Sequence, residues 1–203
     1  MTPSESVTRG HGLLERFLAR KRRDMADSLI PEAARAGRIL DIGCGSFPLF
    51  LTSTRFAGKY GLERVADGQA IERFKKQGIA LLAYDLETAT RLPFEDGFFD
   101  VVTMLAVFEH LNPQMLIDLT REVRRILKPG GVYVLTTPAS GTAGILKILS
   151  ALRLVSSEEI DEHKDAYSRS DVAETLRAGG FSEDAIAVGL FELGLNIWAK
   201  ARK

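Results

Sequence analysis

Acidic residues and glycines stand at the ends of apolar runs in the first half of this chain. Asp41 leads into Gly43 and Gly45, where the lack of a side chain lets the main chain bend tightly and approach a ligand. Glu63 lies twenty residues beyond Gly43, the usual place for a carboxylate that accepts hydrogen bonds from ribose hydroxyls. Asp85 ends a third apolar run. These residue types at this spacing predict a nucleoside site.

The elements that must position these acids are strands of a parallel sheet. Strands alternating with helices imply βαβ units, whose ligands bind at the carboxyl ends of the strands near the point where the strand order reverses. Asp41, Glu63 and Asp85 all fall at or near such ends. Apolar runs predict one strand from Ile39 into the glycine turn and others over 59–63, 79–84, 98–105 and 132–136, with a helix over 113–127.

The two ends of the chain add further elements. Residues 12–29 carry an apolar stripe of helical spacing within an N-terminal helical segment, 1–35. A capped helix is predicted over 171–176, and an antiparallel pair over 185–189 and 193–202 finishes the sheet. The predicted fold class is therefore α/β, with a doubly wound, mostly parallel sheet of seven strands, helices on both faces and an antiparallel last strand.

Composition bounds the class of protein. A length of 203 residues is enough for one well-packed domain over 1–203, and 45% hydrophobic residues are ordinary for a globular protein. Because 27 basic residues balance 27 acidic ones, no overall field attracts nucleic acid, and none is expected as a partner. A single cysteine, no signal peptide and no apolar run of the ~20 residues that span a bilayer predict a cytoplasmic protein. No metal is expected, because no group of residues has metal-ligand spacing.

Four motifs occur in order between residues 36 and 140. They are the glycine turn, the segment Leu92–Val102, the triplet Glu109–Leu111 (Glu-His-Leu) and the segment Arg121–Gly131, which ends in Lys-Pro-Gly-Gly. In this order and spacing they resemble the class I S-adenosylmethionine-dependent methyltransferases, in particular the group that acts on small molecules. The resemblance implies a Rossmann-like methyltransferase fold, and methyl transfer to a small-molecule, lipid-linked or sugar acceptor by aligned direct displacement.

The resemblance also implies which residues bind the cofactor. Asp41 would reach the methionine amino group, directly or through water, Glu63 would accept from the ribose hydroxyls, and Asp85 would accept from the adenine amino group. Cys44 is interpreted as a packing residue in the loop, because nothing basic near it in sequence would lower the pKa of its thiol. The remaining implied contacts are Gly43, Cys44, Gly45, Arg64, Leu86, Leu105 and Ala106.

One position of the glycine loop departs from the family pattern. The family has a third glycine where this chain has Phe47, and Pro48 follows it. Proline suits the first turn of a helix, and Ser46 could cap that helix. We therefore expect an intact nucleoside site. The loop should enter the next helix differently from the family pattern, which affects how the methionine end of the cofactor is held.

Methyl transfer from a sulfonium depends mainly on alignment, so a catalytic base is optional. Histidine is the natural candidate where the acceptor holds its proton at neutral pH. His110 follows the fourth strand on the ligand side, and His163 shares a helical face with Tyr167 if that stretch is helical. His110 and His163 are therefore candidate catalytic residues and Tyr167 a candidate substrate contact. The alternatives are a packing or capping role for His110 and a surface position for His163.

Residues 138–170 are expected to form a lid on the substrate side, because this region follows the fifth strand. Its apolar stretch 145–155 favours an apolar acceptor. The same stretch is also compatible with peripheral membrane contact, a second subunit or packing on its own domain. The acceptor and the oligomeric state stay open at this point.

Three other classes of protein compete with this interpretation. A dinucleotide-dependent oxidoreductase is disfavoured because Pro48 replaces the third fingerprint glycine and no Tyr-x-x-x-Lys pair occurs. A non-catalytic domain that binds a nucleoside cofactor is favoured only by the altered glycine loop, in which Phe47 replaces the third glycine. A nucleic-acid methyltransferase would need a basic face and usually an Asn/Asp-Pro-Pro-Tyr-type signature, whereas the segment after the fourth strand reads Leu105–Phe108, Leu-Ala-Val-Phe.

Overall fold

A seven-stranded sheet forms the centre of the molecule. The computed structural model describes residues 13–88, 91–140 and 167–203. The strands are β1 Arg38–Ile42, β2 Gly58–Glu63, β3 Ile79–Ala83, β4 Phe99–Leu105, β5 Leu127–Pro138, β6 Ile186–Phe191 and β7 Asn196–Arg202. Neighbouring strands follow the order β3-β2-β1-β4-β5-β7-β6.

Strand directions confirm the predicted fold class. Strands β1 to β5 are parallel to one another, and β7 lies antiparallel between β5 and β6. The strand order reverses between β1 and β4, which creates the crevice where ligands bind in such sheets. Strand β5 is longer than the predicted 132–136, because Leu127 already pairs with Phe99 before a shift of register.

Helices join the strands, and their ends follow familiar capping rules. Asn112 accepts a hydrogen bond from the Met115 N–H at 2.9 Å at the start of one helix, and Ser168 and Asp171 form a capping box at another. The helices are α1 Leu13–Leu29, α2 Leu49–Ser53, α3 Gly68–Lys75, α4 Pro113–Ile126 and α5 Arg169–Ala178. Those predicted over 12–29, 113–127 and 171–176 correspond to α1, α4 and α5.

The start of α2 differs from the prediction. Pro48 directly precedes α2, and no side chain caps this helix. The expectation that Ser46 caps it is wrong, because a capping side chain must come from the residue next to the first turn. Phe47 packs edge-on against Phe74 of α3, with ring centroids 5.6 Å apart. The residue at the third glycine position therefore has a packing role on α3.

Helices cover both faces of the sheet. Leu40 and Ile42 pack with α4 and α5 on one face, whereas Ile39 packs with α1, α2 and α3 on the other. Successive residues of a strand point to opposite faces, so the central strands are apolar on both sides. Within the described ranges, none of these helices combines the length and apolarity that crossing a bilayer requires.

Two predicted segments lie partly outside the described residues. The N-terminal segment 1–35 is described from Leu13 onward, as α1 followed by a 3₁₀ turn over Glu32–Ala36. Most of the predicted lid, including the apolar stretch 145–155 and His163, falls outside the described ranges.

Candidate functional site

The loop after β1 depends on its glycines. Gly43 and Gly45 have φ values of 69° and 72°, in the left-handed region that residues with side chains avoid. The N–H groups of Gly43 and Cys44 donate to the Leu62 carbonyl oxygen at 2.8 and 3.2 Å, which fixes the loop to β2. A Cβ atom on Gly43 would lie 2.4 Å from Cγ2 of Val107. The close approach of two loops therefore requires glycine at this position.

Asp41 holds a buried carboxyl group near the end of β1. The residue is 3% exposed, and its Oδ1 accepts a 2.6 Å hydrogen bond from Thr103 Oγ1 on β4. Burial raises the pKa of Asp41 to about 7, the bond from Thr103 opposes the rise, and the negative charge of Glu63 adds to it. A cationic partner would favour the ionised form, so this carboxyl group suits an ammonium group.

Glu63 connects β2 to the glycine loop. It is the last residue of β2 and is half-buried. Its Oε2 accepts a hydrogen bond from the Gly45 N–H at 2.9 Å, and its Oε1 accepts from the Val65 N–H at 3.5 Å. Glu63, which its spacing from Gly43 assigns to the ribose, therefore also binds the glycine loop. The sequence pattern does not reveal this second contact.

Asp85 continues the row of acids after β3. It is half-buried, and its Oδ1 accepts a hydrogen bond from a backbone N–H two residues on at 2.9 Å. Leu86 packs against the core on the α4 side, and Arg64 is exposed just beyond β2. The carboxyl groups of Asp41, Glu63 and Asp85 thus stand at or near the ends of three adjacent strands, β1, β2 and β3.

The turn after β4 closes against the glycine loop. Ala106 has a φ of 55° although it is not glycine, a strained conformation that is concentrated at functional sites. Its N–H donates to the Thr136 carbonyl oxygen at 3.0 Å. Leu105 before it is partly buried, and Val107 after it lies against Gly43. Leu105 and Ala106 are therefore part of the segment that borders the loop.

Glu109 is a buried acid to which the sequence pattern assigned no role. It is 3% exposed, and its Oε2 accepts a hydrogen bond from Thr137 Oγ1 at 3.1 Å. Thr137 belongs to β5, so this bond joins the 3₁₀ turn Phe108–His110 to the neighbouring strand. The Glu-His-Leu motif marks this turn, but the partner of Glu109 follows from the pairing of β4 with β5.

The candidate substrate-side residues have different environments. His110 ends the 3₁₀ turn at the carboxyl edge of the sheet and is half-buried. Tyr167 is only 6% exposed, its ring lies 4.8 Å from that of Phe108, and its hydroxyl donates to the Leu111 carbonyl oxygen at 3.1 Å. The structure therefore gives Tyr167 a packing role in the core, and its contact with substrate stays a prediction. His163 lies outside the described ranges.

Cys44 is enclosed by the sheet. A Cβ atom on Gly61 of β2 would lie 2.7 Å from Cys44 Sγ, so the thiol occupies the space that this glycine leaves open. Burial raises the pKa of the thiol, and the charges of Asp41 and Glu63 raise it further. A protonated thiol is a poor nucleophile, which agrees with a packing role.

A cavity of about 490 Å³ lies at the opposite, amino edge of the sheet. It is bordered by the ends of α4 and α5, far along the strands from the row of acids. Its charged lining is mostly cationic: Asp96, Arg121, Arg124, Arg125 and Lys203. Cations at the carboxyl ends of helices are favourable in their own right, which explains these residues without a ligand. Because the cavity lies at the opposite edge of the sheet, it is separate from the candidate site.

Comparison with known proteins shows a related domain and a shared fold. Residues 40–135 match the family model described as a methyltransferase domain. An S-adenosylmethionine-dependent methyltransferase from Thermotoga maritima, named as a possible histamine N-methyltransferase, has the same fold. Its TM-score is 0.68 at 21% identity, over 94% of this chain and 92% of that chain. Residues 40–135 are thus similar to a methyltransferase domain, and the chain has the fold of an S-adenosylmethionine-dependent methyltransferase.

Relatives of known name match part of the chain. The ubiquinone biosynthesis O-methyltransferase of Roseobacter denitrificans is 35% identical over 117 residues, which cover 57% of this chain and 45% of the relative. The malonyl-[acyl-carrier protein] O-methyltransferase of Geobacter sulfurreducens is 28% identical over 161 residues, covering 75% of this chain and 58% of the relative. The chain therefore spans about half the length of these curated relatives.

The carboxyl edge fits S-adenosylmethionine, the cofactor of the methyltransferases that share this fold. S-adenosylmethionine presents a methionine ammonium, two ribose hydroxyls and an adenine amino group, and the three acids offer acceptor oxygens in a row. A Cβ atom on Gly45 would meet nothing nearer than the Phe47 backbone at 3.9 Å, so space is open beside the loop. The glycine loop and the donor–acceptor set are therefore compatible with this ligand.

Proposed function

We propose that the protein transfers a methyl group from S-adenosylmethionine to a small-molecule acceptor. The observation that carries the proposal is the row of Asp41, Glu63 and Asp85 at adjacent strand ends beside a glycine loop. The bound cofactor supplies a methyl group already activated by a sulfonium. The task of the chain is then to bind both reactants, align them and exclude water.

Each acid has a distinct role in this proposal. Asp41 binds the methionine ammonium, and Glu63 accepts from the ribose hydroxyls while its Oε2 stays on the Gly45 N–H. Asp85 accepts from the adenine amino group, with the Leu86 backbone beside the ring. Further proposed contacts are Gly43, Cys44, Arg64, Leu105 and Ala106.

The acceptor is proposed to lie beyond Ala106, over the ends of β4 and β5. His110 stands there and takes the acceptor's proton when the nucleophile is protonated at neutral pH; His163 is a second candidate from the sequence. The two relatives are named for O-methylation in ubiquinone biosynthesis and on malonyl-[acyl-carrier protein]. Together with the apolar stretch 145–155, these names support an apolar or carrier-linked acceptor.

A non-catalytic cofactor-binding domain is the second candidate. Phe47 favours it, because this residue packs on Phe74 where the family has a glycine. The two candidates differ in whether methyl groups reach any acceptor. Incubation with radiolabelled S-adenosylmethionine and a panel of quinols, fatty acids and amines separates them.

Calorimetric titration tests the cofactor. S-adenosylmethionine and S-adenosylhomocysteine should bind wild-type protein, and NADH should not. Glu63→Ala should lose binding, whereas Glu95→Ala, which removes an exposed acid from the loop before β4, should retain it. Ligand at a hundred times its dissociation constant should add ~2.7 kcal/mol to the free energy of unfolding. Absence of binding to the wild type would exclude both candidates.

A further inference from the structure

Four large apolar side chains in the described part of the chain are exposed to solvent: Phe17, Val65, Leu190 and Leu193. Leu193, in the turn between β6 and β7, is as exposed as it would be in an extended chain. Its φ of 58° also lies in the left-handed region that residues with side chains avoid. Because packing offsets none of this strain, the position of Leu193 indicates a contact outside the folded chain.

Leu190 lies beside the same turn at the carboxyl edge of the sheet. Strand β6 is antiparallel to β7, as β5 is, so β6 and the following turn reach the edge where β5 ends. A Cβ atom on Gly194 would lie 4.0 Å from Leu190 Cδ1, which places the Leu190 side chain against the turn. The Leu195 carbonyl oxygen accepts a hydrogen bond from the Ala139 N–H at 2.9 Å, and this bond fixes the turn to the end of β5. Leu190 and Leu193 therefore project from a fixed part of the fold.

The first half of α1 extends towards the same edge. Helix α1 packs along the sheet on β4, β5 and β7, and near its end Asp27 Oδ1 accepts a hydrogen bond from Thr54 Oγ1 at 3.1 Å. Thr54 follows α2 and precedes β2, so it lies at the amino edge, where β2 begins. Phe17 comes ten residues before Asp27, which corresponds to about 15 Å along a helix. Phe17 is therefore displaced from the amino edge towards the carboxyl edge.

The turn between β6 and β7 is close to α1. Burial raises the pKa of Glu192 in this turn, and the positive charges of Arg22 and Lys21 oppose the rise, so both cations act on the turn. The Nζ atom of Lys21 also lies 5.4 Å from the centroid of the Phe17 ring. Phe17 is thus linked through Lys21 to the turn that carries Leu193. The resulting α1–turn surface consists of exposed and half-buried side chains: Phe17, Arg20, Lys21, Arg22, Leu190 and Leu193.

Cations dominate the charge of the α1–turn surface. Arg20, Lys21 and Arg22 form no ion pair within the described ranges. The next residue, Arg23, pairs with Asp24. Three successive cations beside protruding apolar side chains match the chemistry of a membrane with anionic lipids, because its headgroups attract Lys and Arg and its acyl chains accept apolar groups.

The shape of the surface favours a lipid phase over a second protein. Leu193 protrudes at the tip of a turn, and a protruding side chain enters the fluid interface of a bilayer without a preformed recess. A protein partner would need a recess of matching shape. A second copy on a two-fold axis would bring two sets of cations together, and like charges repel.

We propose that the α1–turn surface binds membranes that contain anionic lipids. Phe17, Leu190 and Leu193 enter the interface, and the cations of α1 contact the lipid headgroups. The surface is next to the carboxyl edge, so the bound protein presents its proposed acceptor side to the lipid phase, which can supply an apolar acceptor. Membrane binding goes beyond the proposed methyl transfer and does not depend on it.

Co-sedimentation of the full chain with vesicles tests the proposal. Vesicles of phosphatidylcholine with phosphatidylglycerol should carry wild-type protein into the pellet, and vesicles of phosphatidylcholine alone should carry much less. Arg20→Gln/Lys21→Gln should bind the anionic vesicles about 25-fold more weakly, since each cation near such a surface strengthens binding about fivefold. Lys75→Gln/Lys76→Gln removes the same charge from exposed positions at the end of α3 and should bind as the wild type does.

Leu193→Asn tests the apolar contact without endangering the fold, because asparagine tolerates a positive φ and the leucine side chain is fully exposed. It should weaken vesicle binding about tenfold and leave the midpoint of urea unfolding unchanged or higher. The proposal is contradicted if the wild type binds neither kind of vesicle, if it binds both equally, or if Leu193→Asn binds as the α3 variant does. A dimer that Leu193→Asn abolishes would assign the surface to a second copy instead. Binding of S-adenosylhomocysteine, measured separately, bears on the proposed function alone.

Discussion

Burial gives the carboxyl group of Asp41 a property that an exposed acid lacks. Its pKa is raised to about 7, so its charge depends on what lies beside it. In the free protein the group titrates near neutral pH, whereas a bound ammonium would keep it ionised. This coupling makes the pH dependence of ligand binding a test of its role.

Binding of S-adenosylhomocysteine should weaken as the pH falls below the Asp41 pKa of about 7. Below that pH the carboxyl group must lose a proton for the ion pair to form. The dissociation constant should therefore rise about sixteenfold between pH 7 and pH 5.5, because the carboxyl group is already half protonated at its pKa. Calorimetry on the wild type and on Asp41→Asn measures this. A flat profile for the wild type would mean that Asp41 does not contact the ammonium.

The same pKa has a consequence for stability. The folded-state pKa of about 7 exceeds the ordinary value of 3.8, so the folded protein binds more protons than the unfolded chain between these values. The free energy of unfolding should therefore fall as the pH rises through this window. Relative to the wild type, Asp41→Asn should gain stability from pH 4 to pH 7 in urea unfolding. An unchanging difference would show that the carboxyl group is not buried as described.

Gly43→Ala should destabilise the protein by about 2 kcal/mol or more. The left-handed backbone costs roughly 1–2 kcal/mol with a side chain, and the new Cβ would lie 2.4 Å from Val107 Cγ2. Adding Val107→Ala should recover only the part of the lost stability that is due to the clash with the Val107 side chain. Gly68→Ala is the matched control, since a Cβ there meets nothing within 4 Å. Equal effects of Gly43→Ala and Gly68→Ala would contradict this account of the loop.

At the scale of elements, the turn after β4 is held from two sides. Val107 lies against the glycine loop, and Glu109 is hydrogen-bonded to Thr137 on β5.

The strands themselves were predictable, because apolar runs ending in acids mark buried strands with polar ends. The long start of β5 was not, since Lys-Pro-Gly-Gly is typical of a turn. The partner of Glu109 depends on the β4–β5 register, which no local pattern contains.

The bond between Glu109 and Thr137 should make a measurable contribution to stability. Glu109→Ala leaves the Thr137 hydroxyl buried without an acceptor, which costs about 1–3 kcal/mol. Glu109→Gln keeps an acceptor oxygen and should cost less. In a double-mutant cycle with Thr137→Val, urea unfolding should give a coupling energy of about 0.5–3 kcal/mol. Additive effects would mean that the bond does not hold the turn.

At the scale of the whole molecule, the two edges of the sheet differ in charge. The carboxyl edge carries the row of acids, and the amino edge carries the cationic cavity at the ends of α4 and α5. Overall neutrality in the sequence conceals this separation, because composition does not say where charges lie. The sequence located the acids through their spacing. The position of β7 between β5 and β6, which pairs Asn196 with Pro138 of β5, emerged only from the long-range pairing.

Amide hydrogen exchange with and without S-adenosylhomocysteine tests the central claim most directly. The ligand should slow exchange in the segments 43–47, 62–65 and 84–87, which contain the glycine loop and the backbone beside Glu63 and Asp85. Exchange in 121–125 and 177–181, at the amino edge, should not change. Protection confined to the amino edge, or no protection in the glycine loop at saturating ligand, would contradict a cofactor site at the carboxyl ends of β1, β2 and β3.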